Sequence, residues 1–333
     1  MAVVKLVLAR LAQGVLLVFA VVVLNFLLIH LAPGDPAQVL AGEFGGTTPQ
    51  ILAQIRATYG LNHPLWVQLL TYIGHVARGN LGQSFYFNQP VLSLILQRLP
   101  ATLLLVITAQ VSAILAGTML GVIAARRPHG WLSQGITVTA LIGYSTPVFW
   151  LGIMLLIAFA YLWPIFPIGS METIGFEGGI FHEALNILHH LVLPAFTLAF
   201  VYLAQYSRLS QANMLETLGS DYIRMARAKG LPEWLILYKH ALRNALIPVV
   251  TIAGLQFSQV LAGAILVETV FDWPGMGQLT YESILRRDYP LLLGILLISA
   301  VVVVVVNILT DLSYRLIDPR IGAGSVTGVG YGT

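Results

Sequence analysis

The side chains between Gly219 and Pro248 are suited to electrostatic docking. Asp221, Tyr222, Arg224, Arg227 and Lys229 crowd into one short segment, so its chemistry is ion pairing and charge-assisted hydrogen bonding. Bond-making chemistry has no comparable cluster. The chain has no cysteine, which removes thiolate ligands, disulfides and cysteine nucleophiles. Ser, His and Asp gather nowhere in a nucleophile–base–acid pattern, and no Gly-x-x-x-x-Gly-Lys-Ser/Thr run offers a phosphate-binding loop. His63, His75 and the neighbours His189 and His190 lack partners at ligand spacing, so no metal site is expected. The expected task is recognition, without catalysis and without a cofactor held by this chain.

Local signals divide this stretch into two helices. Ser220 is placed to cap the first, and Asp221 puts a negative charge in its first turn, where the helix dipole favours it. Arg227 and Lys229 close it, and Gly230 is its stop. Pro232 opens the second helix, with Trp234, Leu235, Tyr238 and Leu242 as its apolar face and Glu233, Lys239 and Arg243 among its polar positions. A bent, charged helix pair of this kind is a docking element, or alternatively an amphipathic pair held by anionic lipid headgroups.

The rest of the chain holds this element at a membrane. Hydrophobic residues make up 57% of the 333 and charged residues 9%, and the mean hydropathy is +0.84, which excludes an ordinary soluble protein. The expectation is an all-α polytopic protein of six transmembrane helices. Leu11 to Ala32 is the first, about 33 Å long at helical rise and read as a retained anchor. Residues 1–32 hold the N-terminus and this span, and 33–98 form an external helical insert with helices from Pro49 towards Gly60 and from Pro64 towards Gly79. The core, 99–318, holds five more spans: Leu99–Ala125, Leu132–Trp163, His190–Tyr206, Leu246–Val270 and Tyr289–Leu312. Pro164 to Leu188 reads as a loop, and the glycine-rich 319–333 as a flexible tail. Asn25, Asn307 and Asp311 read as ties between spans or as marks of their ends.

Six spans place both termini on one side. Of the 17 Lys and Arg residues, twelve then fall on the side of the termini and of 219–248, and five on the other. The positive-inside rule puts the richer side in the cytoplasm and the insert outside.

Several blocks now combine into a resemblance. Ala226-Arg-Ala-Lys-Gly230 and His240-Ala-Leu-Arg-Asn-Ala-Leu-Ile-Pro248 are similar to the coupling loop of binding-protein-dependent ABC importer permeases. The match is to the peptide and nickel branch, particularly the first permease subunit of dipeptide and oligopeptide systems. Pro33-Gly-Asp-Pro36, Leu81-Gly-Gln-Ser84, Tyr144 to Trp150, Leu261 to Gly277, Arg286-Arg-Asp-Tyr-Pro290 and Asp318-Pro-Arg320 follow in family order. The general loop pattern has Glu-Ala-Ala where this chain has Arg224-Met-Ala226, a departure that points to the peptide-type variant.

The resemblance implies a type I importer fold and a half-transporter. Its partners would be a second homologous permease subunit, two cytoplasmic ATPase subunits, an external solute-binding protein and the lipid bilayer, with no nucleic acid. ATP and Mg would sit on the ATPases. Asp221, Tyr222, Arg224, Ala226, Arg227, Ala228, Lys229 and Gly230 would form the ATPase-coupling helix, with Ala226 and Ala228 small for close approach. Dipeptides or oligopeptides would be the cargo, with nickel, glutathione or haem as alternatives in the same class.

Candidates for the pathway or gate are weaker. Ser145, Thr146 and Pro147 interrupt the third span and either kink a helix beside the pathway or make a packing bend. Gln256, Ser258 and Gln259 either line a polar path or bond between helices. Glu268 and Asp272 close the fifth span as gate residues, binding-protein contacts, or simply wet ends. A self-contained secondary transporter or channel would instead show inverted repeats and charges near mid-membrane, and neither is evident.

Overall fold

The computed structural model describes residues 2–31, 35, 37–38, 48–59, 61–84, 86–173, 175 and 178–317. The helices are α1 (Ala2–Leu31), α2 (Pro49–Tyr59), α3 (Leu65–Ala77), α4 (Val91–Arg126), α5 (Trp131–Ser145), α6 (Val148–Leu162), α7 (Ile180–Leu218), α8 (Asp221–Ala228), α9 (Glu233–Val270), α10 (Met276–Leu285) and α11 (Tyr289–Ile317). A two-residue hairpin, β1 (Gln83–Ser84) with β2 (Gln89–Pro90), pairs antiparallel before α4. Five helices, α1, α4, α7, α9 and α11, are long and apolar enough to cross a bilayer, and the broken pair α5–α6 makes a sixth span if counted as one. The tail 319–333 and the Asp318-Pro-Arg320 block lie outside the described residues.

The third span departs most from expectation. In place of a kink there is a full break, with the two halves bent by 102°. Thr146 has the extended backbone (φ −86°, ψ 126°) that a following proline favours, and its hydroxyl donates to the Ile142 carbonyl at 2.7 Å. Pro147 then serves as N-cap of α6.

Other boundaries move outward. α4 starts at Val91 rather than Leu99, because Val91, Leu94 and Ile95 pack with Met276, Leu279, Leu291 and Ile295, and the helix runs through Pro100. α7 starts at Ile180, inside the expected loop, with Gly179 as N-cap and Glu183 in its first turn. The second helix of the opening stretch and the fifth span are one helix, α9, whose residues Ile236–Ala241 are wound as a π-helix.

The chain divides into two compact units, Met1–Leu103 with Asp272–Val305, and Leu104–Phe271 with Val306–Thr333. In the first unit α1 packs on α3, and the buried Asn25 amide donates to the Leu293 carbonyl at 3.0 Å, tying α1 to α11. Gln68 accepts or donates at three points, to the His30 ring and to the Leu61 and His63 carbonyls.

Of the Pro33–Pro36 block only Asp35 is described. Its carboxylate accepts from the Ala37 N–H at 3.0 Å and pairs with Arg56 of α2, fixing the chain beside the buried Ile29, Ala37, Ile55 and Leu293. The Arg56 hydrogen bond holds this carboxyl below the ordinary aspartate value of 3.8. A depressed folded pKa stabilises above the unfolded value and is lost as pH falls through the folded one. Asp35→Asn is therefore expected to destabilise this unit by about 0.5 kcal/mol at pH 7, since the pair is part-exposed, and by nothing once pH drops well below 3.8. Thermal melts of both proteins across that pH range measure it.

The second unit is built on α7, which packs against α5, α6 and α9. α4 crosses α7 at Gly117 and Gly121. A Cβ at Gly117 would lie 2.8 Å from the Leu203 carbonyl oxygen, and one at Gly121 would lie 2.6 Å from that of Ser207. Small residues four apart allow this approach, and close packing is what associates helices in lipid.

Candidate functional site

α8 is amphipathic across a very short length. Ile223 and Ala226 are buried among Val122, Ala125, Met214, Ile236, Leu237 and Ala241, so the helix is seated on α4, α7 and α9. Asp221, Tyr222, Arg224, Arg227, Ala228, Lys229 and Gly230 face outward. The structure thus gathers the expected docking residues on one exposed face, with one correction. Ala226 points into the bundle, where its small side chain lets α8 sit close to its own protein, and only Ala228 of the two alanines is presented outside.

The start of α8 also differs. Ser220 occupies the N-cap with extended backbone, yet its hydroxyl donates to the Thr217 carbonyl at 2.6 Å and makes no cap hydrogen bond. The end of α7 lies one turn earlier and offers a nearer acceptor. Asp221 remains in the first turn and forms an (i, i+3) pair with Arg224 at 3.3 Å, exposed enough to contribute little.

The end of α8 is a complete Schellman motif. Gly230 has φ +78°, its N–H donates to the Arg227 carbonyl at 2.9 Å, and the Leu231 N–H reaches the Ala226 carbonyl at 3.4 Å. Leu231 packs against the same buried cluster as Ala226. Across the bend, Arg227 donates to Glu233 through Nη2 at 2.8 Å and Nε at 3.4 Å. The Tyr222 hydroxyl accepts from Asn244 at 2.7 Å and donates to the His240 carbonyl at 3.4 Å. α8 is therefore held to the start of α9 at both ends.

The apolar face expected for the second helix holds only in part: Leu235 and Leu242 are half-buried, and Leu242 packs against the buried cluster, but the two aromatic rings are turned out. Trp234 is 64% exposed and Tyr238 48%, while Ile236, Leu237, Ala241 and Ala245 are the buried positions. From Ile236 the π-helical turn shifts the register, so a 3.6-residue count carried through it drifts off the buried side. Lys239 and Arg243 are exposed, adding positive charge beside α8.

The pathway candidates lie on separate stretches of the chain. Ser145, Thr146 and Pro147 lie at the α5–α6 break. On α9, Gln256 is buried and its Oε1 has no hydrogen-bond partner among the described residues; Ser258 is half-buried and Gln259 exposed. Glu268 is fully buried, which removes the reading of a wet span end, whereas Asp272 is exposed and accepts from Gln278.

Sequence reading missed a polar clasp inside the second unit. The Gln110 amide donates to the Tyr206 hydroxyl at 2.7 Å and to the Ala253 carbonyl at 3.1 Å, stitching α4, α7 and α9. A lone Gln in an apolar span was its only signal. The Gly117-x-x-x-Gly121 spacing was a plainer one.

Two sequence blocks acquire structural roles in the first unit. Ser84 of the Leu81–Ser84 block donates to the buried Asp288 of the Arg286–Pro290 block, and Asp288 also caps α11 by accepting from the Leu291 N–H at 3.2 Å. Burial pushes the Asp288 carboxyl above its ordinary value. Trp273, fully buried, donates to the Ala101 carbonyl at 2.9 Å, and the Met276 N–H to the Thr102 hydroxyl at 2.7 Å. These residues build the scaffold.

Comparison with known proteins agrees with this arrangement. Residues 117–323 match the family model "Binding-protein-dependent transport system inner membrane component", and residues 3–106 match that of its N-terminal part. The oligopeptide transport system permease protein AppB of Bacillus subtilis is 40% identical over 94% of this chain and 97% of its own length. The dipeptide transport system permease protein DppB of Escherichia coli is 39% identical over 95% and 98%. Among solved structures, a chain of the inward-facing MetNI methionine ABC transporter superposes with a TM-score of 0.54 at 16% identity, covering 68% of this chain and 96% of that one. With a short amphipathic helix seated on a bundle of membrane-length helices, and both family models covering most of its length, the chain belongs to the binding-protein-dependent transport system inner membrane components.

Proposed function

We propose that this chain, a permease subunit of an ABC import system, carries dipeptides or oligopeptides inward and takes its driving force from ATPase subunits docked on α8. The observation that carries the reading is the construction of α8: an exposed polar and basic face, a buried apolar seat, and ties to α9 at both ends. A force applied to such a helix passes to the membrane helix instead of being absorbed by a loose loop. The peptide cargo rests on the names of the similar permeases.

The working unit contains a second permease subunit, two ATPases carrying ATP and Mg, and an external solute-binding protein that selects the cargo. This chain makes and breaks no covalent bond. Its termini and α8 face the cytoplasm, in line with the twelve-to-five distribution of basic residues. ATP-driven closure of the ATPase pair rocks the spans outward-open, and hydrolysis resets them.

In proteoliposomes, the assembled complex is expected to accumulate peptide only with ATP and binding protein present. Peptide flux by this chain alone, without nucleotide, would instead assign it to the secondary transporters or channels. Because the chain has no cysteine, Lys229→Cys supplies a unique thiol. Labelling of that thiol only from the inner side checks the orientation.

A further inference from the structure

Beside α8, the second unit contains a cavity of about 820 Å³, and of its lining the transport reading uses only the Arg227–Glu233 pair. Arg126 and Arg127, at the end of α4, and Trp131, opening α5, border it, together with the Arg227–Glu233 pair. Among the described residues, neither Arg126 nor Arg127 makes a side-chain hydrogen bond or ion pair, and both are exposed. Three guanidinium groups face one carboxylate, so the cavity is positive. Ile123, Leu218 and Leu237 supply an apolar wall.

We propose that this cavity holds the headgroup of an anionic phospholipid. Its place along the chain argues for lipid: the apolar run of α4 ends at Arg126 and that of α5 begins at Trp131, which is 83% exposed. Basic residues and tryptophan at such a junction sit at headgroup level. The planar fork of arginine matches two phosphate oxygens at once. The uncapped first turn of α5, with Gly130 at its N-cap, adds backbone N–H groups of the same preference. A free phosphate would leave the apolar wall unused, whereas a glycerol backbone and the start of an acyl chain cover it. The inference rests on this chemistry alone and stands whether or not peptides are the cargo.

The test uses the full-length protein, delipidated in detergent and titrated with phosphatidylglycerol or phosphatidylcholine, with binding read by native mass spectrometry. Phosphatidylglycerol is expected to bind preferentially. Arg126→Gln with Arg127→Gln should weaken it by about thirty-fold while leaving phosphatidylcholine unchanged. Arg126→Lys with Arg127→Lys should retain most of the binding, and equal melting temperatures for both double variants establish that the fold is kept. Equal binding of the two lipids, or an unchanged glutamine variant, overturns the proposal. So does inorganic phosphate binding as tightly as the lipid, which would make this a free-anion site. Loss of ATPase capture by the glutamine variant with lipid binding intact would make it a protein-docking face and overturn it equally.

Discussion

Gly121→Leu is expected to abolish recovery of folded protein from the membrane. At this position a Cβ would lie 2.5 Å from the Ser210 Cβ and 2.6 Å from the Ser207 carbonyl oxygen. The obstruction is partly backbone, so no rotamer change relieves it, and α4 must part from α7. Parting these helices costs the dispersion contacts that associate them, since lipid tails compete equally for apolar surface. It also pulls Gln110 of α4 away from the Tyr206 hydroxyl of α7. Gly121→Ala, which needs a shift of less than 1 Å or so, is expected to cost about 2 kcal/mol, within the range for overpacking. Gly117→Ala should cost a similar amount. Ser210→Gly should not rescue Gly121→Ala, because the Ser207 oxygen remains. Size-exclusion profiles and melting temperatures in detergent decide the matter; a leucine variant that elutes and melts like the parent would show that the crossing tolerates bulk.

Arg227→Glu combined with Gly230→Val is expected to lower ATP-dependent uptake by at least two orders of magnitude and to abolish ATPase capture. Membrane insertion should be normal, because the buried seat, Ile223 and Ala226, is untouched. Gly230 has open space where a Cβ would go, so the valine acts only through its left-handed backbone, φ +78°, at a cost of about 1–2 kcal/mol. That cost unwinds the Schellman stop, and the glutamate repels Glu233 across the same bend. Gly230→Asn should be tolerated, as asparagine enters this region readily. The charge swap Arg227→Glu with Glu233→Arg should restore most of the uptake, since the clamp re-forms with its polarity reversed. A swap as inactive as the single change would mean that Arg227 acts on the partner surface directly and not through the clamp.

Much of this molecule was legible in residue order. The short helix from Asp221 to Ala228, its stop at Gly230 and the bend at Pro232 were marked by residues with strong local preferences, and each needs only its own neighbours to act. The long apolar runs announced membrane helices because a bilayer reads hydropathy over about twenty residues and ignores detail. Boundaries failed where packing extended a helix past a polar or proline residue, as at Val91 ahead of Arg98 and Pro100, or at Ile180 inside an apparent loop.

Faces failed for a different reason. Trp234 and Tyr238 look like core on a 3.6-residue wheel, but the bundle buries Ile236, Leu237 and Ala241 and leaves both rings exposed. Ser220 had the right type and place for a cap, yet its hydroxyl found the Thr217 carbonyl instead. Composition and local spacing determined a membrane-embedded helical protein with a short, charged, exposed helix. Which carbonyl a hydroxyl reaches, which glycine meets a backbone, and which blocks converge, as Ser84 and Asp288 do across 204 residues, follow from distances between segments remote in sequence. Only the folded chain sets those distances.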